Sequence, residues 1–303
     1  MDGLDRLVQA IAPTGSVELQ CRFAGEWQLD HPPLPPHHLP YHVILGGTAE
    51  LDIDGTRSRL QKGDVLLFPY GDAHILRSAP SAGRAPSRPE TRRSHGVVTL
   101  VEREGEGEPL DMLCGEFLLA GATDALWTGL PKVLHLRTGR GEALLGLIQL
   151  LRDEAAQPQP GGGAVIRMVT GAMFALILRS VTNQGQWRQG ILGLLANPRL
   201  AGVVDAVLAN PAHAWTLQGL ADVVHTSRAS FARHFGETAG MTPMDWVNGV
   251  RLSVAAQWLR TERLSTSRAA ELAGYASEAA FTRAFKARYG ASPGAYGRQH
   301  AKG

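Results

Sequence analysis

Cysteine is scarce in this sequence: Cys21 and Cys114 are the only two in 303 residues. Two cysteines cannot form the disulfide framework of a small secreted domain. The N-terminus also lacks a basic segment followed by an apolar stretch. Met1 to Gly15 is short, mixed and polar, so no export signal is read there. No long apolar run is free of charge. The longest, Ala164 to Val181, contains Arg167 and Arg179 and reads as too short and too charged to span a membrane. A cytoplasmic protein with no membrane partner is expected. A strong charge of one sign is missing too, since the net charge is +2. That small total is unevenly placed. From Asn197 onward there are 12 Lys and Arg against 7 Asp and Glu, leaving 18 against 21 in the rest. A basic C-terminal part behind a slightly acidic N-terminal part fits phosphate contact by one domain only.

What is present is a chain long enough for two cores, with 44% hydrophobic residues as in ordinary globular proteins. Its most informative stretch is a unit written twice. The first copy runs from Trp215 to Val247 and the second from Ser265 to Tyr296. In the alignment, Leu220-Ala221 lies over Leu272-Ala273, Ser227 over Ser277, Phe231 over Phe281, Arg233 over Arg283 and Phe235 over Phe285. Gly240-Met241-Thr242-Pro243 lies over Gly290-Ala291-Ser292-Pro293. Each copy reads as a short helix, a small-residue turn and a second helix opened by a Ser N-cap, which is helix-turn-helix grammar.

In each second helix the two Phe residues, four apart, define one buried side. Arg228, Ala229, Ser230, Ala232 and Arg233 then face away in the first copy. Glu278, Ala279, Thr282 and Arg283 do so in the second. The N-terminal residues of such a helix reach base edges in the major groove. Arginine can hold guanine through two bonds, and Glu can accept from cytosine N4. Candidate DNA-binding residues are therefore Arg228, Ser230, Arg233, Glu278, Thr282 and Arg283; the other reading is solvated surface charge. Between the copies, Met244 to Arg260 reads as a long helix. Its face Val247, Val250, Val254 and Trp258 would pack both copies, with Arg251 looking outward.

Three further runs make the resemblance specific. They are R-L-x-x-A-x-x-x-L at Arg251, Leu252, Ala255 and Leu259; A-G-Y-x-S-E-x-x-F-x-R-x-F from Ala273 to Phe285; and G-x-S-P-x-x-Y from Gly290 to Tyr296. Over about its last hundred residues the chain resembles the DNA-binding domain of the AraC/XylS family of bacterial transcription regulators. The resemblance implies double-stranded DNA and RNA polymerase as partners, an activator more than a repressor, and no enzyme activity.

The region from about Ser16 to Leu136 reads as β. Val17, Leu19, Cys21 and Phe23 alternate with Glu18, Gln20 and Arg22, placing the first four on one face. His31 to Pro40, HPPLPPHHLP, excludes regular structure by its prolines. Short strands follow in YHVILGG, AELDIDG and DVLLFP. Gly63, Pro69, Gly71 and His74 match G-x5-P-x-G-x2-H, the second motif of the cupins. The N-terminal half thus resembles the cupin-type sensor domain of many AraC-like regulators, a small double-sheet barrel. Ser78 to Arg93 reads as a surface loop, and Glu102 to Asp111 as an acidic turn region. Met112 to Ala120 returns to strand. Helices begin near Gly141, with Ala143 to Leu151 apolar at helical spacing and Val165 to Thr182 apolar almost all round and so buried in the core or against a partner, then Leu192 to Leu208. The resemblance implies that such helices pair two subunits.

Two constellations in the sensor half carry chemistry. A cupin enzyme brings H-x-H and Glu in its first motif; here those are missing and only His74 stands in place. On an extended strand His38 and His42 share a face, so His38, His42 and His74 can converge and hold zinc. The alternative is that they are pocket or core histidines. Cys21 and Cys114 are either two small buried hydrophobes or a regulatory thiol pair. The resemblance raises the second reading to equal weight with the first, because some cupin-bearing AraC-like regulators are oxidant sensors.

The expected fold is α+β in two domains. Residues 1–140 form a cupin-like β barrel, 141–196 linking and dimerisation helices, and 197–303 an all-α domain with two helix-turn-helix units. The expected function is sequence-specific DNA binding by a homodimeric transcription regulator, switched by cysteine oxidation or by a small molecule in the barrel. A cupin metalloenzyme and a non-specific DNA binder are the rival readings.

Overall fold

The computed structural model describes residues 2–79, 88–119, 127, 129–138, 143–157, 159–184 and 188–300. In chain order the elements are α1 (Gly3–Ile11), β1 (Thr14–Phe23), β2 (Gln28–His31), β3 (His38–Gly46), β4 (Thr48–Ile53), β5 (Thr56–Gln61), β6 (Asp64–Leu67), β7 (His74–Ser78), β8 (Thr91–His95), β9 (Val98–Arg103), β10 (Leu110–Leu118) and β11 (Leu134–Arg137). Helices α2 (Ala143–Ala156), α3 (Gly162–Gln184), α4 (Gly190–Ala196), α5 (Ala201–Ala209), α6 (Leu217–Val223), α7 (Arg228–Ala239), α8 (Pro243–Thr261), α9 (Thr266–Leu272), α10 (Glu278–Tyr289) and α11 (Pro293–His300) follow.

The chain forms two compact units. One comprises Pro13–Leu118 with Pro131–Ser180, the other Met1–Ala12, Leu119–Leu130 and Val181–Gly303. This division departs from the linear one at 140 and 197. The first twelve residues group with the C-terminal helices because α1 is a true helix, not an irregular polar end. Asp2 and Asp5 close a capping box at its start, and Leu7 and Ile11 are fully buried.

The β unit holds two ladders. The larger sheet has the order β11-β6-β3-β10-β1-β9-β8, with β1 and β9 parallel and the other neighbours antiparallel. The smaller is β2-β7-β4-β5. They are two sheets, not one closed barrel, and their apolar sides build a core from Cys21, Phe23, Trp27, Ile44, Leu51, Leu66, Phe68, Leu76, Met112 and Cys114. The other side of the large sheet is covered by α3, where Phe117 meets Phe174 at 5.0 Å between ring centres.

A bulge in β1 corrects the expected face. Val17 pairs with Gly115 but Leu19 pairs with Cys114, so one extra residue is inserted between them. The insertion reverses the alternation, turning Val17 to the side opposite Leu19, Cys21 and Phe23. Of the expected loop from Ser78 to Arg93, residues 80–87 lie outside the described residues. Ser78 ends β7 and Thr91 already starts β8. Ala120, the expected end of the late strand, is also outside them.

Helix α3 runs 23 residues, longer than the apolar run suggested. By length and composition it could cross a membrane. Its buried Met173, Phe174 and Ile177 and the Thr170 hydroxyl tucked beside Gly15 make it the cover of a sheet. Leu192–Leu208, expected as one helical run, is divided between α4 and α5, with Leu200 N–H bonding back to the Asn197 carbonyl at the break.

Candidate functional site

The helix-turn-helix copies are built by matching local devices. Thr216 and Ser265 cap α6 and α9, and Ser227 and Ser277 cap α7 and α10, each side chain accepting a backbone N–H. The structure corrects the alignment of the first helices. The Thr226 N–H bonds to the Ala221 carbonyl just as Tyr275 N–H bonds to that of Ala270. Leu220-Ala221 therefore corresponds to buried Ala269-Ala270, not to Leu272-Ala273, and the second turn carries one extra residue before its Ser cap. Both turns need a left-handed residue: His225, φ 52°, in the first and Gly274, φ 75°, in the second. A Cβ on Gly274 would lie 2.6 Å from the Ala212 carbonyl oxygen, so only glycine fits.

Phe231 and Phe235 of α7 and Phe281 and Phe285 of α10 are buried as expected. Arg228, Arg233, Glu278 and Arg283 are exposed, and Ser230 and Thr282 half-exposed, on the sides away from those rings. Arg233 lies 3.7 Å from Glu237 and 3.1 Å from the Nε2 of His234. The long helix α8 differs from expectation. Arg251 turns inward, its Nε donating to the Pro211 carbonyl and its Nη2 to that of His213, both at 2.8 Å. Val254 and Trp258 are only half-buried. The face that packs the second copy is Leu252, Ala255, Ala256 and Leu259, while Trp246, Val247 and Val250 are buried towards its start.

In the β unit, three histidines do converge, but not the expected three. His31, His42 and His74 each offer a ligand atom within 4.8 Å of the others. His31 and His74 stand opposite each other in the β2–β7 ladder, and His42 reaches them from β3 in the other sheet. The Nε2 atoms of His42 and His74 are 2.8 Å apart. His38 lies elsewhere, with its Nδ1 2.9 Å from Glu116 Oε1. It shares a strand face with His42, but four residues of strand separate them by about 13 Å. The missed residue, His31, was hidden by the prolines after it: the chain is strand up to His31 and turns irregular only at Pro32.

All three rings are held in the neutral state. Burial lowers the pKa of His31 to about 4 and of His74 to about 3, and drives that of His42 well below its ordinary value. His74 Nδ1 lies 2.9 Å from the Asp72 carbonyl oxygen, which can only accept. That nitrogen therefore carries the hydrogen and leaves Nε2 bare. His31 Nε2 is buried without a hydrogen-bond partner among the described residues.

The two thiols border this cluster. Cys114 faces His42 across the β10–β3 ladder, with Sγ 3.2 Å from His42 Nδ1. It also touches the thiol of Cys21, and that contact, with burial, pushes its pKa well up. The register pairs Cys21 with Met112 and Cys114 with Leu19, so the cysteines are diagonal neighbours on one sheet face. Both are free and buried. Arg22 does not turn toward Cys21; its Nε is 4.0 Å from Asp111.

Comparison with known proteins agrees with this division of labour. A cupin family model matches residues 2–183, and a helix-turn-helix domain model matches residues 220–299. The chain is 32% identical to the RCS-specific HTH-type transcriptional activator RclR of Escherichia coli (strain K12), over 98% of this chain and 97% of that protein. It is 33% identical to an uncharacterized HTH-type transcriptional regulator of Haemophilus influenzae, over 98% of each. It is 30% identical to the HTH-type transcriptional regulator MtrA of Neisseria gonorrhoeae, again over 98% of each. Among solved structures, ToxT from Vibrio cholerae O395 is similar over 95% of this chain and 99% of its own, at 11% identity and a TM-score of 0.40. The three proteins that are 30–33% identical are regulators of transcription by name. The chain belongs to the AraC-type family of DNA-binding transcription regulators, with a cupin domain ahead of its helix-turn-helix domain.

Proposed function

We propose that this regulator is a transcription activator whose signal is oxidation of the Cys21–Cys114 pair. The observation that carries the reading is the contact itself. The chain's only two cysteines, far apart in sequence, touch on paired strands inside the cupin core. A peroxide or a hypohalous acid, as two-electron oxidant, would convert the two thiols to one disulfide. The sulfurs lose two protons and two electrons, and the oxidant leaves as its reduced product and water. The Cys21 contact, burial and the Glu18 charge disfavour thiolate at Cys114, so the pair responds to strong oxidants and resists weak ones. The word activator in the name of the 32% identical relative supports activation, which makes RNA polymerase a partner.

In this reading Arg228, Ser230, Arg233, Glu278, Thr282 and Arg283 contact DNA in the cytoplasm. Two copies pair through the helices of the cupin region, where Leu150 on α2 and Val165 and Met168 on α3 leave apolar side chains in solvent. The test follows transcription from a target promoter with wild type, Cys21→Ser and Cys114→Ser, with and without hypochlorous acid. The expected result is a response in wild type and none in either variant. A full response in both variants would mean that the thiols only pack and that the cupin domain reads another signal.

A further inference from the structure

We propose that His31, His42 and His74 form a binding site for one zinc-class divalent cation, with a fourth coordination position left open to water or a small anion. The site lies between the two sheets and uses residues that no single motif of the sequence contains. Its ligand set is three imidazoles without a carboxylate, which suits zinc more than calcium or magnesium.

The geometry argues for a cation in three steps. His74 Nε2 is bare, because Nδ1 carries the hydrogen to the Asp72 carbonyl. His42 Nε2 faces it at 2.8 Å. Without a cation, His42 must spend a proton on that contact and take its other hydrogen bond from the Cys114 thiol. His31 Nε2 still has no partner among the described residues. A cation satisfies all three nitrogens at once. The His42 hydrogen moves to Nδ1 and points at Cys114 Sγ, 3.2 Å away, while the thiol hydrogen turns to Cys21. No net proton is released. Tetrahedral zinc at about 2.0–2.1 Å from each nitrogen needs nitrogens about 3.4 Å apart. The His42–His74 pair must therefore open slightly. His31, stacked parallel on His74 at 4.5 Å, must swing its ring. It is the partly exposed member of the three and ends its strand before two prolines, so it has the room.

Cys114 is then not a ligand but the acceptor that orients one. Loss of such a partner usually lowers metal affinity by about 10–100-fold. A disulfide to Cys21 would draw Sγ away from His42 and have the same effect. Metal binding stands on the histidines alone; only this link to oxidation rests on the thiol reading.

The experiment uses full-length protein, stripped with a chelator and titrated with zinc against a chromophoric competitor, with circular dichroism as a check of folding. One zinc per chain is expected for wild type and for His38→Ala. His74→Ala and His42→Ala should lose at least about 100-fold in affinity. His31→Ala, at the half-exposed ring and least able to harm the fold, should lose about 10-fold or more, and Cys114→Ala about 10-fold. Wild type that binds no stoichiometric zinc overturns the proposal, as does unchanged affinity in folded His31→Ala and His74→Ala. An equal loss in His38→Ala overturns it too. Oxidised wild type should release zinc more readily than oxidised Cys21→Ser. If the histidine results hold and this arm shows no difference, the site stands and its coupling to the thiols is wrong.

Discussion

Arg6 and Asp205, 199 residues apart in the sequence, are joined by an ion pair with Nε 2.7 Å from Oδ1. Beside it Gly3 lies against Leu195 and the backbone of α5, and Leu7 and Ile11 are fully buried. The burial matters more than the pair, since both charged groups are partly exposed and such pairs contribute at most about 1 kcal/mol. Leu7→Ala should destabilise the C-terminal unit by about 2–5 kcal/mol, and Arg6→Ala by no more than about 1. Hydrogen exchange at the α5 amides of the full-length protein measures both. A fragment holding only the expected all-α domain, residues 197–303, lacks part of this packing. That fragment loses α1 and also α4, which packs on α7. It should melt below a fragment that begins at Arg188.

The C-terminal fold was legible in the sequence because helix-turn-helix units are specified locally. A Ser cap, a pair of Phe four apart and a Gly after the helix each act within a few residues. The errors arose where one residue changed the phase. The extra residue before Ser277 broke the expected alignment of the first helices, and the bulge at Val17 turned one side chain to the wrong face. The histidine cluster was only partly legible. His74 came with its motif and His42 with its strand. His31 enters through the pairing of β2 with β7, a long-range register that no local pattern records. Arg251 was placed outward by helical periodicity, which cannot know that two carbonyls of the loop before α6 need donors.

The exposed side chains of α7 and α10 give the DNA prediction. Two helix-turn-helix units in one domain should enter successive major grooves, roughly 34 Å apart, so one subunit protects two adjacent turns on one side of the duplex. Arg283→Ala should cost about 1–3 kcal/mol at a single base position if it reads guanine. Binding to a panel of operator variants separates the outcomes. A uniform loss across the panel would make Arg283 a phosphate contact, and a footprint of one groove per subunit would remove the tandem geometry.

Acid should destabilise the cupin domain of the metal-free protein. His31 has a folded pKa of about 4 and His74 of about 3, and His42 is also well below 6.5. Between pH 6.5 and about 4 the unfolded chain binds more protons than the folded one. The stability is therefore fully present above 6.5 and is lost as pH falls toward the folded values. At pH 5 the loss is roughly 2 kcal/mol for His31 and for His74, and His42 acts in the same direction, with the three titrating as a coupled set. Urea midpoints of chelator-treated protein at pH 7.5 and 5.0 should differ in that sense, and His31→Ala should narrow the gap. Equal midpoints would show that the rings are hydrated.

The diagonal placement of the two cysteines predicts how oxidation acts. Cys21 pairs directly with Met112, and Cys114 with Leu19. Diagonal neighbours have Cα atoms about 7–8 Å apart, whereas a relaxed disulfide spans about 4.4–6.8 Å. Closing the native bridge must therefore pull β1 against β10. The ladder has little slack there: a Cβ on Gly115, next to Cys114, would meet the Ser16 carbonyl and the Tyr41 hydroxyl, so the strands are already in close approach. Oxidised wild type should melt below reduced wild type. Moving the second thiol to the directly opposed position, in a Met112→Cys, Cys114→Ser double variant, gives a bridge that the register accommodates. Its oxidised form should melt at or above its own reduced form, and the comparison within one variant cancels the cost of losing the Met112 side chain. The same variant should form its disulfide without switching transcription, because the strands need not move. A double variant that switches on oxidation as wild type does would show that the bond alone, and not the displacement of β1 against β10, is the signal.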